Sequence, residues 1–340
     1  MGCRTTDPVQ VDGFLPPGAC APRPLASAGI MDIKVASFSG HESFPFRNTW
    51  LTKGVTQCAE DPTLFGKDDA LVSLGVGKNM VRSIRHWCLA TRMLEEDDTV
   101  PNNRGRQLKP TELGKRIFLG EAPWDPYLED VATLWLIHYQ LVTGDSKATT
   151  WYYAFNEMHQ PDFTRHGLEQ TIGSLAKRYP EIRASANTLA RDIDVFIRTY
   201  VGSSNSQGTL EETLDCPLAE LGLIFQPAPT SPYAFARGPK DTLPDAIFLF
   251  ALCTFAQVRS AKTLTFDDLA YAPRSPGRVF KLDEPALAER LERLADLTGN
   301  AIQFSESAGL KQVLLREEID SMQVLDGYYH GTSVSLGENR

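Results

Sequence analysis

The sequence predicts a mainly α protein in which winged helix-turn-helix domains, each with a small β-hairpin wing, flank a helical middle region. Three observations carry that expectation. A short helix, a glycine-containing turn and an amphipathic helix follow one another between 67 and 94 and lead into a polar hairpin. Helical spacing of apolar residues dominates from 124 to about 240. The last hundred residues read as three helices followed by two strands around a turn. The expected divisions are a disordered tail at 1–30, winged-helix domains at 31–123 and 241–330, a helical middle domain at 124–240 and a flexible tail at 331–340.

Taken in order, MGCRTTDPVQVDGFLPPGACAPRPLASAGI is rich in Pro, Gly and Ala and has neither period, so disorder is expected. It lacks the apolar block of a secretory signal. Met31 opens folded-looking sequence, so translation is expected to begin there or the tail to be dispensable. MDIKVASFSGHESFPFRNTWLTKGV leads into a helix near 48–59, KDDALVSL forms a short helix, GVGK turns, and NMVRSIRHWCLATRML runs as a helix to about 94. EEDDTVPNNRGR is a hairpin loop, and a helix starts again at Pro110 or Thr111, where Thr-Glu-Leu suits an N-terminus. DPYLEDVATLWLIHYQLV and SANTLARDIDVFIRTYV have helical spacing, and QPAPTSPYAF marks a loop and a candidate boundary. LPDAIFLFALCTFAQ, LTFDDLAYAPRSPGRVFKL and DEPALAERLERLADLT supply three helices, the second with a Pro/Gly turn. AIQFSESAGLKQVLLRE supplies two strands around Ala308-Gly309.

The net charge of −9 excludes a protein basic all over while leaving room for a local basic face. No apolar run reaches the roughly 18 residues of a membrane span; the longest, AIFLFALCTFA, reads as a core helix. Six cysteines without a CxxC pair suggest neither a zinc site nor a disulfide framework, so reduced thiols and a cytoplasmic location are expected. Cys88 and Cys253 lie in apolar helical contexts and read as core residues.

GVGK resembles the end of a phosphate-binding loop, which needs GxxxxGK followed by Ser or Thr. The first glycine position holds Val72, the hydroxyl position holds Asn79, and KDDALVSL offers no apolar strand to present the loop. The ATPase reading fails on all three. The alternative fits better. At about 100° per residue, Lys78, Arg82, Arg85 and Arg92 fall on one face, and Met80, Val81, Ile84, Trp87 and Cys88 on the other. Asn79 and His86 border the basic face, where they are expected to reach base edges. Residues 78–116 hold nine Lys/Arg against five Asp/Glu, about +4, leaving about −13 elsewhere. Asn102, Asn103, Arg104 and Arg106 stand at the wing tip, suited to phosphates or the minor groove. A solvated helix face is the plain alternative. The series of turn, helix and basic wing favours DNA contact.

Together with FSGHESFPFRNTWLTKGV (38–55), the stretches DALVSLGVGKNMVRSIRHWC, YLEDVATLWLIHYQL and TLARDIDVFIRTYV resemble the SspB-like family. This bacterial family, long catalogued as a domain of unknown function, includes the SspB component of single-strand DNA phosphorothioation systems of antiphage defence. The resemblance covers most of the chain from Met31 onward. It implies DNA nicking beside a cysteine desulfurase, an ATP-pyrophosphatase-like enzyme and an ATPase, which replace a non-bridging phosphate oxygen by sulfur. Mg²⁺ or Mn²⁺ would be the cofactor of such cleavage, which draws two or three carboxylates to one or two ions.

No HNH, HxK or PD…(D/E)xK pattern is present. The best local catalytic candidates are His41 as base or ligand, Glu42 as ion holder and Arg47 as phosphate clamp. SGHE also reads as an N-cap and core-packing motif with a buried histidine. Asp192 and Asp194 lie about 200° apart on a helix and cannot share a metal; one is expected to pair with an arginine. Glu129 and Asp130 read as first-turn acids, His138 as a core histidine, and His159, Asp162 and His166 as loop residues with a weak claim on a metal. Three functions follow: a DNA nickase of a phosphorothioation system, a non-catalytic scaffold recruiting the sulfur-transfer enzymes, or a transcriptional regulator. A homodimer suits the last.

Overall fold

Each helix is set by an apolar stripe, and the caps and turns between stripes place the functional surface. The computed structural model describes residues 36–144, 147–178, 184–202, 216–307 and 309–331, so the expected tail at 1–30, all of the expected tail at 331–340 except Gly331, Met31 and Ala308 lie outside the described residues. Helix α1 (Asn48–Glu60) buries Trp50, Leu51, Val55 and Cys58. A 3₁₀ turn at Leu64–Gly66 leads to α2 (Ala70–Leu74), which Gly75 ends in the left-handed conformation, φ +65°. Helix α3 (Lys78–Ala90) lays Val81, Ile84, Trp87 and Cys88 on α1. Strands β1 (Leu94–Glu96) and β2 (Leu108–Pro110) then pair antiparallel, and α4 (Glu112–Phe118) begins under the cap of the Thr111 hydroxyl.

The amphipathic helix is shorter than its sequence suggests. The Thr91 hydroxyl bonds back to the Trp87 carbonyl, Arg92 takes φ +58°, and Leu94 already belongs to a strand. Arg92 therefore leaves the basic face. Its guanidinium turns inward to the Thr143 carbonyl at 2.9 Å and Gln140 Oε1 at 3.4 Å.

The middle of the chain holds α5 (Val131–Thr143), α6 (Thr149–Tyr152), α7 (Arg165–Arg178) and α8 (Ala186–Tyr200). Asp130 caps α5, in keeping with its reading as a first-turn acid. A π-turn at Tyr153–Glu157 continues α6, a geometry often met at strained positions. Buried cations take its carbonyls: Lys281 Nζ donates to Phe155 O at 2.9 Å and Arg278 Nε to Asn156 O at 2.9 Å. Strands β3 (Asp162–Phe163), β4 (Ile224–Phe225) and β5 (Tyr233–Phe235) form a small sheet in the order β3-β5-β4, so the Pro-rich stretch at 226–232 is a hairpin loop.

Helix α9 (Asp245–Arg259), strand β6 (Thr263–Thr265), helices α10 (Phe266–Tyr271), α11 (Pro276–Val279) and α12 (Glu284–Leu297), and strands β7 (Ile302–Ser307) and β8 (Leu310–Leu315) follow. The expected hairpin is β7–β8. Strand β6, read from sequence as the start of a helix, adds to β8 and gives the order β6-β8-β7. A last helix, α13 (Ser321–Tyr329), packs on α9 and reaches back to α4 and α5. Asp326 meets Arg116 at 2.8 Å, Tyr329 stacks on Trp124 at 4.8 Å, and its hydroxyl meets Thr133 at 2.9 Å. The whole is mainly α, with three small antiparallel sheets. Among the described residues no helix is long and apolar enough to cross a membrane.

The core is continuous through these elements and includes Cys88 and Cys253. His138 sits in it fully buried, with Nε2 donating to the Val279 carbonyl at 3.0 Å and Nδ1 accepting from the Tyr200 hydroxyl at 2.8 Å. Burial pushes its pKa down to about 3. The unfolded chain, near 6.5, binds the proton first as pH falls, so stability is complete above about 6.5 and is lost progressively below it. At pH 5 His138 alone is expected to remove about 2 kcal/mol relative to pH 7. Urea unfolding of wild type and His138→Phe at the two pH values checks this. The variant is less stable throughout but shows a pH dependence smaller by that amount, and an unchanged slope would exclude His138 as its source.

Candidate functional site

The segment FSGHE is built from tight turns that only neighbouring elements can hold. Ser39, Glu42 and Ser43 have φ of +67°, +48° and +69°, an uncommon run of left-handed non-glycine residues. Gly40 is required by a close approach, because a Cβ there would stand 2.3 Å from His86 Nδ1. The loop is fixed to α3 by the Ser83 hydroxyl donating to the His41 carbonyl at 2.8 Å and by Trp87 Nε1 donating to the Phe44 carbonyl at 3.0 Å.

Its other anchor is Asp192 of α8, 2% exposed. One carboxylate oxygen accepts from the Ser39 amide at 2.9 Å and from His41 Nε2 at 2.8 Å; the other accepts from the Thr150 hydroxyl of α6. His41 Nδ1 accepts from the Ser43 amide at 3.1 Å, which fixes the tautomer with the proton on Nε2. His41 is 1% exposed, and its ring lies against Trp87, Trp151 and His86. Both ring nitrogens are engaged below the surface, as the packing reading of SGHE expects.

Glu42 and Arg47 differ in this respect. Glu42, 34% exposed, meets Arg82 at 3.5 Å. The Arg47 guanidinium lies 5.3 Å over the Trp50 ring and 5.8 Å over Phe44. Asp194, on the opposite side of α8 from Asp192, pairs with Arg165, as the 200° separation requires.

On α3, Lys78 and Asn79 are exposed and Arg82 is 58% exposed. Arg85 is half-buried and donates to the Gly105 carbonyl at 2.9 Å, joining the helix to the hairpin loop. Arg104 and Arg106 are exposed on that loop. Asn103, expected to add to a polar tip, instead staples the loop through its side-chain bonds to the Asp97 and Gln107 backbones. His86, expected at the border of the basic face, is 8% exposed and packed on Gly40. Burial chiefly, then His41, Lys147 and Arg85, push its pKa down to about 3.

The charge of the 78–116 island is also redistributed. Lys109 faces Glu95, Asp97 and Asp98, and Arg116 faces Glu112 and Asp326. Of the other exposed cations, Lys78 and Arg82 lie on α3, Arg82 beside Glu42, Arg104 and Arg106 lie on the hairpin loop that Arg85 joins to α3, and Lys115 lies on α4.

Sequence reasoning did not join His41 to Asp192, 151 residues apart, nor find Thr150 or Arg198, whose Nη2 donates to the Ser43 carbonyl at 2.7 Å. A signal for Asp192 was present. It shares the buried face of α8 with Leu189, Ile193 and Phe196, where a carboxylate requires partners.

Residues 38–329 match the family described as Protein of unknown function (DUF4007). An SspB crystal structure is similar at 34% identity and a TM-score of 0.77, covering 88% of this chain and 90% of that one. A magnesium ion-bound SspB crystal structure is 31% identical with a TM-score of 0.79, covering 88% and 91%. Comparison with curated proteins gives no match.

Asp192→Ala leaves the Ser39 amide, the His41 Nε2–H and the Thr150 hydroxyl without their acceptor. It is expected to destabilise by about 3 kcal/mol or more. Asp192→Asn keeps one acceptor oxygen and is expected to cost about half that. Thermal or urea unfolding reads the difference, and equal small losses would mean that the network does not hold the loop.

Proposed function

The chain belongs to the DUF4007 family and shares its fold with SspB, and on that premise we propose that it is the DNA-contacting and DNA-nicking component of a phosphorothioation system of antiphage defence. The observation that carries the DNA contact is the exposed row Lys78, Asn79 and Arg82 on α3, beside Arg104 and Arg106 on the adjoining hairpin loop. We read α1, α2, α3 and the β1–β2 hairpin as a winged helix with α3 as its recognition helix. The order helix, strand, helices, hairpin in α9 to β8 has the same layout, with α12 in the corresponding place. Helix α12 carries Arg290 and Arg293, both committed to Asp245, so protein contact or internal packing suits it better than DNA.

Phosphates would meet Lys78, Arg82, Arg104 and Arg106, while Asn79 at the start of α3 would face base edges. Arg85 would hold the wing loop against the helix. Within the nicking reading, Glu42 and Arg47 are the charged residues of this segment that reach solvent. His41 is a positioning residue, acting through the turn it fixes. The partners are the cysteine desulfurase, the ATP-pyrophosphatase-like enzyme and the ATPase of such a system.

Magnesium is named for one neighbouring SspB structure. The loop does not offer Mg²⁺ or Mn²⁺ a fitting donor set. Asp192 is buried with both oxygens bonded to protein donors, His41 has no free nitrogen, and Glu42 is the remaining carboxylate. Among the described residues no group of three or more His, Cys, Asp or Glu could hold a metal. No step of the nicking reading is therefore routed through a protein-held ion.

Lys78→Ala with Arg82→Ala is expected to lower duplex affinity about tenfold and reduce the salt slope by about 2, one per lost phosphate contact, with folding intact. Fluorescence anisotropy across salt concentrations reads this, and unchanged affinity would remove α3 as the contact.

For nicking, supercoiled plasmid is incubated with the protein and Mg²⁺, Mn²⁺ or EDTA, alongside Glu42→Gln and Arg47→Gln. Open-circle product lost in either folded variant is expected. Binding without a nick, with the partner enzymes also present, would make the protein a recruiter instead.

A further inference from the structure

Resting on the reading of α3 as a DNA contact, we propose that Arg198 and Arg191 of α8 form a second phosphate-binding patch, so that a duplex seated on α3 continues across the FSGHE loop onto α8.

The loop ties the two sides together. Glu42 meets Arg82 of α3, and the next residue, Ser43, offers its carbonyl to Arg198 of α8 at 2.7 Å. Adjacent Cα atoms lie about 3.8 Å apart, and one DNA strand presents a phosphate about every 3.4 Å of helix rise. The two cations are thus tied to adjacent residues of one turn of chain.

Seven residues separate Arg191 from Arg198, nearly two full turns, so both lie on one side of α8. Both are exposed, while Asp192, Ile193 and Phe196 face the core. Among the described residues Arg198 is not set against a carboxylate: its side chain donates to a backbone carbonyl, which leaves its full charge. Arg165 of α7 adds a third guanidinium nearby, its charge met by Asp194. A solvated helix side would serve solubility equally well with lysines and acids mixed. Here an arginine fork is held in place by the same strained loop that presents Glu42. Clamping phosphates on both sides of that loop would bring the DNA backbone to Glu42 rather than past it.

The test measures binding of the full chain to a duplex long enough to span both patches, between about 50 and 200 mM salt. Wild type is compared with Arg191→Gln/Arg198→Gln, Arg191→Gln alone, Arg198→Lys and Lys78→Ala/Arg82→Ala. The double arginine variant is expected to bind about tenfold more weakly with a salt slope smaller by about 2, and Arg191→Gln alone to lose about 1. Arg198→Lys is expected to keep the slope, which loss of the Ser43 contact alone would not explain. Arg191 makes no recorded bond to the loop, so its single variant carries the test if the double variant fails to fold. Wild-type slopes in both Arg191 variants, with binding lost in Lys78→Ala/Arg82→Ala, would overturn this patch and leave the α3 contact standing. Unchanged binding in every variant would overturn both.

Discussion

The junction of the FSGHE loop with α3, α6 and α8 depends on one buried carboxylate. Asp192 sits on the core side of α8, and removing such a charge from water costs several kcal/mol unless its oxygens are met by donors. The donors come from three places: the Ser39 amide and His41 ring of the loop, and the Thr150 hydroxyl of α6. Meeting them forces the loop through three left-handed residues, each an expense of about 1 kcal/mol or more. The network offsets that strain and in return fixes the path of the chain. Glu42 then has one place to go, beside Arg82. The aromatic packing of Trp87 and Trp151 around the His41 ring closes the same junction with apolar surface.

Much of this was legible in local pattern and little of it in pairing. The apolar stripe of α3, the Thr111 cap, the β1–β2 and β7–β8 hairpins and the core placement of His138 follow from period and turn chemistry, which are local properties. Arg92 was misplaced because helical spacing was carried past Ala90. Only the back-bonded Thr91 and a left-handed residue show where the helix stops. The burial of His86 was not legible because a helical wheel gives direction and not depth: the loop folds over that side of α3, and no residue near His86 in sequence announces it. The charge of the 78–116 island was counted correctly, yet its use depends on which acids lie across the hairpin from Lys109 and across the fold from Arg116. The Asp192–His41 pair spans 151 residues, a separation to which periodicity is blind.

The second half of the chain solves a related problem with opposite charge. The π-turn after α6 leaves carbonyls without helical partners, and Lys281 and Arg278, both buried, donate to them. Burial lowers the pKa of both groups; around Lys281 a carbonyl bond and the Phe155 and Phe235 rings stand in for a counterion. These contacts bind the segment after α11 to the same α6 that serves Asp192. Helix α13 adds a further tie by stacking Tyr329 on Trp124 beside α4. The N-terminal helices are thus braced by residues from both later parts of the chain.

Bracing has a consequence for recognition. A surface ordered only on binding spends part of its interaction energy on that ordering. Here Ser83 and Trp87 hold α3 to the loop, Arg85 holds α3 to the hairpin, and Arg198 holds α8 to the loop. The spacing between the cationic groups is therefore set by the fold before any ligand arrives. On the proposed DNA contact, the exposed side chains of Arg104 and Arg106 would be the adaptable part, carried on a loop that Asn103 and Arg85 hold in place. Under that proposal, a rigid row beside adaptable side chains would suit a partner whose backbone spacing is constant and whose local shape is not, as in duplex DNA.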